Sequence, residues 1–213
     1  MSSAAPRVEV APLFATPVAV VEVPDAAGLN AALKRVILEH EKTTPGTQHS
    51  NLGGWQSAWD MERWGGPGVA RLLDVARGVA NGLTCDRQGR PVTIVWKTNI
   101  WANINRAGHG NEFHFHPGSF WSGVYYVEDG GIGADPALGG ELEFMDPRGA
   151  APAMYAPNLA WTVPGGRAIG ACETIPPRAG RMVIFPAWML HAVRPYRGAV
   201  ERISVAFNLS IQP

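Results

Sequence analysis

The chain has 213 residues, and its 18 Lys and Arg balance 18 Asp and Glu, so the formal net charge is zero at pH 7. That balance removes the electrostatic basis for binding nucleic acid or an anionic membrane surface, and the basic residues are scattered rather than run together. No stretch approaches the ~18 uninterrupted apolar residues of a membrane-crossing helix, and the N-terminus lacks the charged and apolar regions of a signal peptide.

Cys85 and Cys172 have neither CxxC nor zinc-finger spacing, which favours a reduced, cytoplasmic protein. The 25 Gly and 18 Pro recur along the whole chain, as expected for many short strands joined by turns. Residues 13–23 are Val-rich and predict an early strand. Asp25 then offers an N-cap, and Leu29, Leu33, Val36, Ile37 and His40 follow at helical spacing, predicting a helix over 26–41. Residues 42–66 read as a loop carrying Trp55, Trp59 and Trp64, which either shape a pocket or simply pack. A second helix is predicted over 67–81, with Pro67 at its start, a stripe of Val69, Leu72, Leu73 and Ala76, and a stop at Asn81-Gly82.

Beyond residue 91 the texture becomes β-branched and aromatic. Strands are predicted at 92–101, 112–116, 121–128, 140–146, 181–186 and 200–211. The length predicts one domain spanning 1–213, in which the strand and helices of 1–91 pack on the sheet formed by 92–213.

His114-Phe115-His116 falls in the strand predicted over 112–116. Strand side chains alternate faces, so two histidines at i and i+2 point the same way and can meet one metal ion. His191 is the natural third ligand. If Pro195-Tyr196-Arg197-Gly198 is a hairpin turn, position 191 faces position 202 on the returning strand. Directly opposite residues share a face roughly 5 Å apart at Cβ. Arg202, with Ser204 two further on, would then place a guanidinium and a hydroxyl beside the metal ligands, which is a carboxylate clamp. A lone histidine is more often structural, and Arg202 alone would read as a strand charge, so the spacing of the set carries the argument.

This set resembles the iron(II)- and 2-oxoglutarate-dependent oxygenase superfamily. Gly139-Gly140-Glu141-Leu142-Glu143-Phe144 is similar to the GGxLxF strand of its prolyl-hydroxylase-like members. The stretches SNLGGWQS (50–57), HFHPGSFWSGVYYV (114–127), DPR (146–148), FPAWMLHAVRP (185–195) and RISVAFN (202–208) resemble a group of such oxygenases found in bacteria and phages. The resemblance spans nearly the whole chain. It implies a mainly β fold with flanking helices around a double-stranded β-helix, or jelly-roll and cupin-like, core over 92–213. It further implies Fe(II), 2-oxoglutarate as cosubstrate and O2, with release of succinate and CO2 as a substrate C–H is hydroxylated. His114, His116 and His191 would hold the iron, while Arg202, Ser204 and Tyr126 would hold 2-oxoglutarate.

One departure matters. The superfamily's second ligand is a carboxylate, and His116 stands in its place. Three neutral imidazoles would leave an Fe(II) site at +2 rather than +1. The ligand set therefore stays open: all three histidines, one of the pair completed by Glu112, Glu141 or Asp146, or an open third position. Tyr125 and Tyr126 face opposite sides of one strand, and the resemblance favours Tyr126. Asn103, Asn105 and Asn111 could line the mouth, and Arg148 either closes a tight turn or meets an anionic substrate. Neutral ligand imidazoles imply metal affinity that falls below about pH 6.5. Rival readings are a cupin-type three-histidine metalloenzyme without 2-oxoglutarate and a non-catalytic metal- or ligand-binding β-helix. The substrate, small molecule or peptide, is not legible, and oligomeric state is open, a homodimer included.

Overall fold

The structure is a computed structural model that describes residues 7–149, 156, 158–168 and 171–211. Its elements in chain order are β1 (Ala19–Glu22), α1 (Ala26–Thr43), β2 (Asn51–Leu52), β3 (Trp55–Gln56), the single turn α2 (Met61–Trp64), α3 (Pro67–Gly82), β4 (Trp96–Asn105), β5 (Gly110–His114) and β6 (Trp121–Glu128). A 3-10 turn (Pro136–Leu138) precedes β7 (Leu142–Met145), β8 (Trp161–Val163), β9 (Gly166–Ala168), β10 (Cys172–Ile175), β11 (Arg181–Pro186), β12 (His191–Val193) and β13 (Arg202–Ile211).

Two antiparallel sheets dominate. The larger runs β1-β11-β6-β13-β4-β3 and the smaller β10-β7-β12-β5-β2, while β8 and β9 form a separate hairpin. The larger sheet has two buried faces, and strand alternation sorts its side chains between them. Ile203, Val205, Phe207 and Leu209 of β13, Tyr125 and Val127 of β6, and Ile100, Ala102 and Ile104 of β4 form one core with Leu29, Leu33 and Ile37 of α1 and Leu72, Leu73 and Ala76 of α3. The intervening residues, Arg202, Ser204, Ala206 and Asn208 of β13 with Ser122, Val124 and Tyr126 of β6, face the opposite way and line a cavity. A small second core, Tyr126, Val183 and Phe185 against Leu142, Phe144 and Met189, joins the two sheets. The chain is thus a double-stranded β-helix with its helices on the outer face of the larger sheet, as the alternating patterns require.

The helices match expectation, but Asp25 sits at the N-cap in a left-handed conformation (φ 49°) without a side-chain cap bond. The early strand is shorter than predicted, because Leu13-Phe14 forms a turn with Phe14 at φ 61°. The stretch 42–66, expected as loop, supplies β2, β3 and α2. Asn51 pairs with Asn111 and Trp55 with Ile104, so this segment adds an edge strand to each sheet.

The predicted hairpin does not form. β12 pairs with β5 and β7 in the smaller sheet, whereas β13 pairs with β4 and β6 in the larger one. Residue 202 faces Asn105, not His191. The intervening segment is a crossover. Buried Tyr196 anchors it, donating its hydroxyl hydrogen toward the Gly130 carbonyl (2.6 Å) and lying 2.7 Å from the Val200 carbonyl. A Cβ on Gly198 would collide with the Tyr196 hydroxyl, so the residue read as turn punctuation makes room for the anchor instead.

Candidate functional site

The crossover delivers His191 and Arg202 to the same cavity from opposite sheets. The cavity measures about 340 Å³ and opens between them. At one end the donor nitrogens of His114, His116 and His191 all lie within 4.8 Å of one another. His114 ends β5 and pairs directly with His191 of β12. His116 lies past the end of β5, so the expected shared-strand geometry does not hold. Its ring still turns inward, because its backbone N–H donates to the Ala187 carbonyl (2.9 Å), pinning the loop against the turn before β12. The ring centroids are 4.3 Å (114–191), 5.0 Å (114–116) and 5.1 Å (116–191) apart.

Two of the rings are oriented by backbone. His114 Nδ1–H donates to the Glu112 carbonyl (2.7 Å) and His191 Nδ1–H to the Met189 carbonyl (2.8 Å). Each leaves Nε2 with its lone pair for a metal, the usual outer-shell arrangement for ligand histidines. Ser50 Oγ lies 3.4 Å from His114 Nε2 and accepts from Asn111 Nδ2 (3.1 Å). Burial pushes His191 down to about 3 and His116 down to about 4, with the neighbouring His114 charge acting in the same direction. Burial also lowers His114, opposed by its bond to the Glu112 carbonyl. His116 and His191 thus stay neutral well below pH 6.5, so the expected onset of proton competition at these two rings moves to lower pH.

This has a stability consequence. Histidines whose folded pKa lies below the unfolded 6.5 are protonated more readily in the unfolded chain, so stability is full above pH 6.5 and is lost as pH falls toward 4. Metal-free protein is therefore expected to melt lower at pH 5 than at pH 7.5. Equal melting temperatures at the two values, in matched salt, would show that the rings are not desolvated as described.

At the other end of the cavity lies Arg202, only 1% exposed. Its Nε donates to the Gly140 carbonyl (3.2 Å) and one terminal nitrogen to Asn105 Oδ1 (3.0 Å), both uncharged acceptors. Its guanidinium carbon sits 5.2 Å from the centre of the Tyr126 ring. The Tyr126 hydroxyl is buried and has no hydrogen-bond partner among the described residues. Burial raises the Tyr126 phenol and lowers Arg202, each opposed by the other's proximity. A buried cation held only by neutral oxygens is costly unless paired, and an orphaned buried hydroxyl is costly as well. Both costs would be met by one carboxylate that accepted from the guanidinium and the phenol together. Ser204 lies on the same face one pleat along. The residues present therefore fit an anionic cosubstrate at this end and a metal ion at the other.

Gly140 shapes the wall beside Arg202. It has φ +79°, and a Cβ there would stand 3.2 Å from Arg202 Cδ and 3.0 Å from Ile132 Cδ1. Gly140→Ala combines a left-handed backbone penalty of roughly 1–2 kcal/mol with pressure on the arginine. The variant should melt lower and bind 2-oxoglutarate more weakly, and unchanged binding by titration would count against this placement of Arg202.

The remaining candidates sort plainly. Among the described residues no carboxylate joins the histidine cluster. Glu112 is exposed, and Asp146 is held by Arg148 of its own turn through two side-chain bonds (2.6 and 3.0 Å). Arg148 is therefore a turn residue. Tyr125 faces the helices and donates to Asn30 Oδ1 (2.6 Å), leaving Tyr126 to the cavity. Asn103 and Asn111 line the cavity, and Asn105 lies behind Arg202. Trp59 lines the mouth, whereas Trp55 is in the core and Trp64 stacks on His40 at 3.8 Å. Sequence reasoning missed Ser122, Trp101 and Asn208. Asn208 stands on the Arg202–Ser204 face of β13, so period-2 counting along that strand would have found it.

The fold and the paired donor sets fit a metal site beside an anion site. Residues 99–208, just over half the chain, match the family described as "Putative 2OG-Fe(II) oxygenase", and the chain belongs to that family. The family uses Fe(II), 2-oxoglutarate and O2. No curated protein sequence matches the chain. Its fold is similar to that of a Pseudomonas putida prolyl-4-hydroxylase (TM-score 0.65, 16% identity, 94% of this chain and 96% of that one). It is also similar to HygX from Streptomyces hygroscopicus with nickel and 2-oxoglutarate bound (0.59, 11%, 92% and 83%). A third similar structure is the collagen prolyl hydroxylase of Paramecium Bursaria Chlorella virus-1 in complex with 2-oxoglutarate (0.58, 10%, 92% and 96%). Among the described residues no helix is long and apolar enough to cross a membrane.

Proposed function

We propose that this chain, acting as one domain, is a hydroxylase in which His114, His116 and His191 hold Fe(II) while Arg202, Tyr126 and Ser204 hold 2-oxoglutarate. The observation that carries the reading is the buried Arg202 guanidinium, bonded only to neutral oxygens and facing an unpartnered Tyr126 hydroxyl, in the same cavity as three converging imidazoles. The metal, when bound, supplies the oxidising chemistry. The protein's share is geometric and electrostatic. His114 and His191 present Nε2 lone pairs held in place by backbone carbonyls. Arg202 and Tyr126 would hold the distal carboxylate of 2-oxoglutarate at the end of the cavity away from the histidines. Phe144 and Phe185 pack on His191 (ring centroids 6.2 and 4.7 Å) and exclude water from that side.

Exposed His49, Trp59 and Phe115 line the cavity together with buried Trp101 and the neutral amides of Gln56, Asn99, Asn103 and Asn111. Arg202 is the only Lys, Arg, Asp or Glu among the described lining residues. A small molecule or peptide whose reacting part is uncharged suits that lining. Exposed, unpaired Cys85 and Cys172 support a cytoplasmic location.

The test is 2-oxoglutarate turnover by purified, Fe(II)-loaded protein in air. Succinate should form slowly without added substrate and stop when the metal is chelated. Absence of both succinate formation and calorimetric 2-oxoglutarate binding to metal-loaded protein would overturn the reading. Binding of metal without 2-oxoglutarate would favour the cupin-type alternative.

A further inference from the structure

His116 differs from its two partners in how its ring is held. His114 and His191 donate Nδ1–H to backbone carbonyls, but His116 Nδ1 faces a donor, the Asn208 carboxamide nitrogen, at 3.3 Å. That carboxamide is itself fixed. Asn208 Oδ1 accepts from the buried Ser122 hydroxyl at 2.7 Å. Ser122 and Asn208 are directly opposite each other on β6 and β13, so the backbone ladder sets their distance. Both are buried and line the cavity. An N–H pointing at Nδ1 requires a lone pair there, which places the ring proton on Nε2. With the carboxamide oriented in this way the three rings do not share a tautomer, and the odd one is the imidazole that stands where the family has a carboxylate.

We propose that Asn208, braced by Ser122, is a positioning residue that gives His116 Nδ1 a partner in either tautomer and thereby lets the third imidazole enter the metal site. The inference rests on the three-histidine reading above. A ring nitrogen carrying hydrogen cannot ligate, so Nε2 joins the metal only after its proton passes, through solvent, to Nδ1. The ring keeps one proton throughout. The carboxamide then turns over: Oδ1 accepts from Nδ1–H, Nδ2 donates to Ser122 Oγ, and every polar group keeps a partner. A serine hydroxyl can donate or accept, so the Ser122–Asn208 pair satisfies either tautomer. A backbone carbonyl, as used by His114 and His191, permits only one.

Two measurements test this. The first uses metal-free protein and the 15N shifts of the imidazole nitrogens. His114 and His191 should carry hydrogen on Nδ1 and His116 on Nε2, and Asn208→Asp should move the His116 hydrogen to Nδ1, since a carboxylate only accepts. A wild-type His116 already protonated on Nδ1, or an Asp variant with the wild-type pattern, would overturn the proposal. The second is Co(II) titration followed by visible absorption, which reports the donor set. Asn208→Leu should weaken Co(II) binding by about 10–100-fold, the usual cost of losing an outer-shell partner, and should change the band shape. Asn208→Asp should bind at least as tightly as wild type with the wild-type bands. A Leu variant with unchanged affinity and bands, or an Asp variant as impaired as Leu, would defeat the proposal while leaving the iron reading intact. Wild-type protein that takes up no Co(II) would instead defeat the iron reading and the proposal with it.

Discussion

Arg202→Met should raise the 2-oxoglutarate concentration needed for half-maximal succinate formation by about 100-fold. Truncating one partner of a buried, hydrogen-bonded charge pair costs about 2–5 kcal/mol, and tenfold corresponds to about 1.4 kcal/mol. Arg202 → Lys should rescue poorly. Lysine offers a point charge where the arginine fork reaches Gly140 O, Asn105 Oδ1 and the cavity at once. Stability should behave differently from affinity. In the ligand-free protein the guanidinium is a buried charge with neutral partners, so replacing it with an apolar chain of similar length removes a desolvation penalty. Melting of the ligand-free variant should therefore change little or rise, while the stabilisation conferred by 2-oxoglutarate largely disappears. An unchanged cosubstrate requirement would show that the arginine serves only the fold.

His191→Ala should cost more than 100-fold in metal affinity, above the ~10–100-fold typical of outer-shell losses. His191 is 4% exposed, ties the smaller sheet through pairing with both His114 and Phe144, and donates to Met189. The alanine variant also opens a void beside Phe185, so metal-free melting must be measured alongside. His191→Gln keeps polarity and approximate volume and separates the two effects. Both variants should fail to retain Fe(II) through gel filtration, while Gln restores most of the lost melting temperature. Near-stoichiometric iron in either would remove His191 from the site.

The pattern of legibility follows from which interactions are local. The helices over 26–43 and 67–82 were readable because apolar spacing and the Pro67 and Asn81-Gly82 signals act within a few turns. Strands at 121–128 and 181–186 were readable because alternation is imposed residue by residue. His114, His116, His191, Arg202 and Ser204 are all cavity residues, as expected, but the single strand expected to carry the HxH pair and the hairpin expected to bring Arg202 and Ser204 beside His191 do not form. A turn-like sequence at 195–198 suggested neighbouring strands. Buried Tyr196, bonded to Gly130 far along the chain, turns that segment into a crossover between sheets. Nothing within the segment encodes that bond.

The amino-acid order alone thus determined a mostly β chain with two outer helices, and it named the imidazoles and the guanidinium that line the cavity. Tertiary structure alone decided that Arg202 meets His191 across the sandwich, that Glu112 and Asp146 stay away from the histidines, and that Asn208 and Ser122 stand behind His116. The physical reason is range. Periodicity and caps report forces between residues a few positions apart, whereas the cavity is assembled by strand pairings such as Arg202 with Asn105 and His191 with His114, whose partners lie some eighty to one hundred positions away.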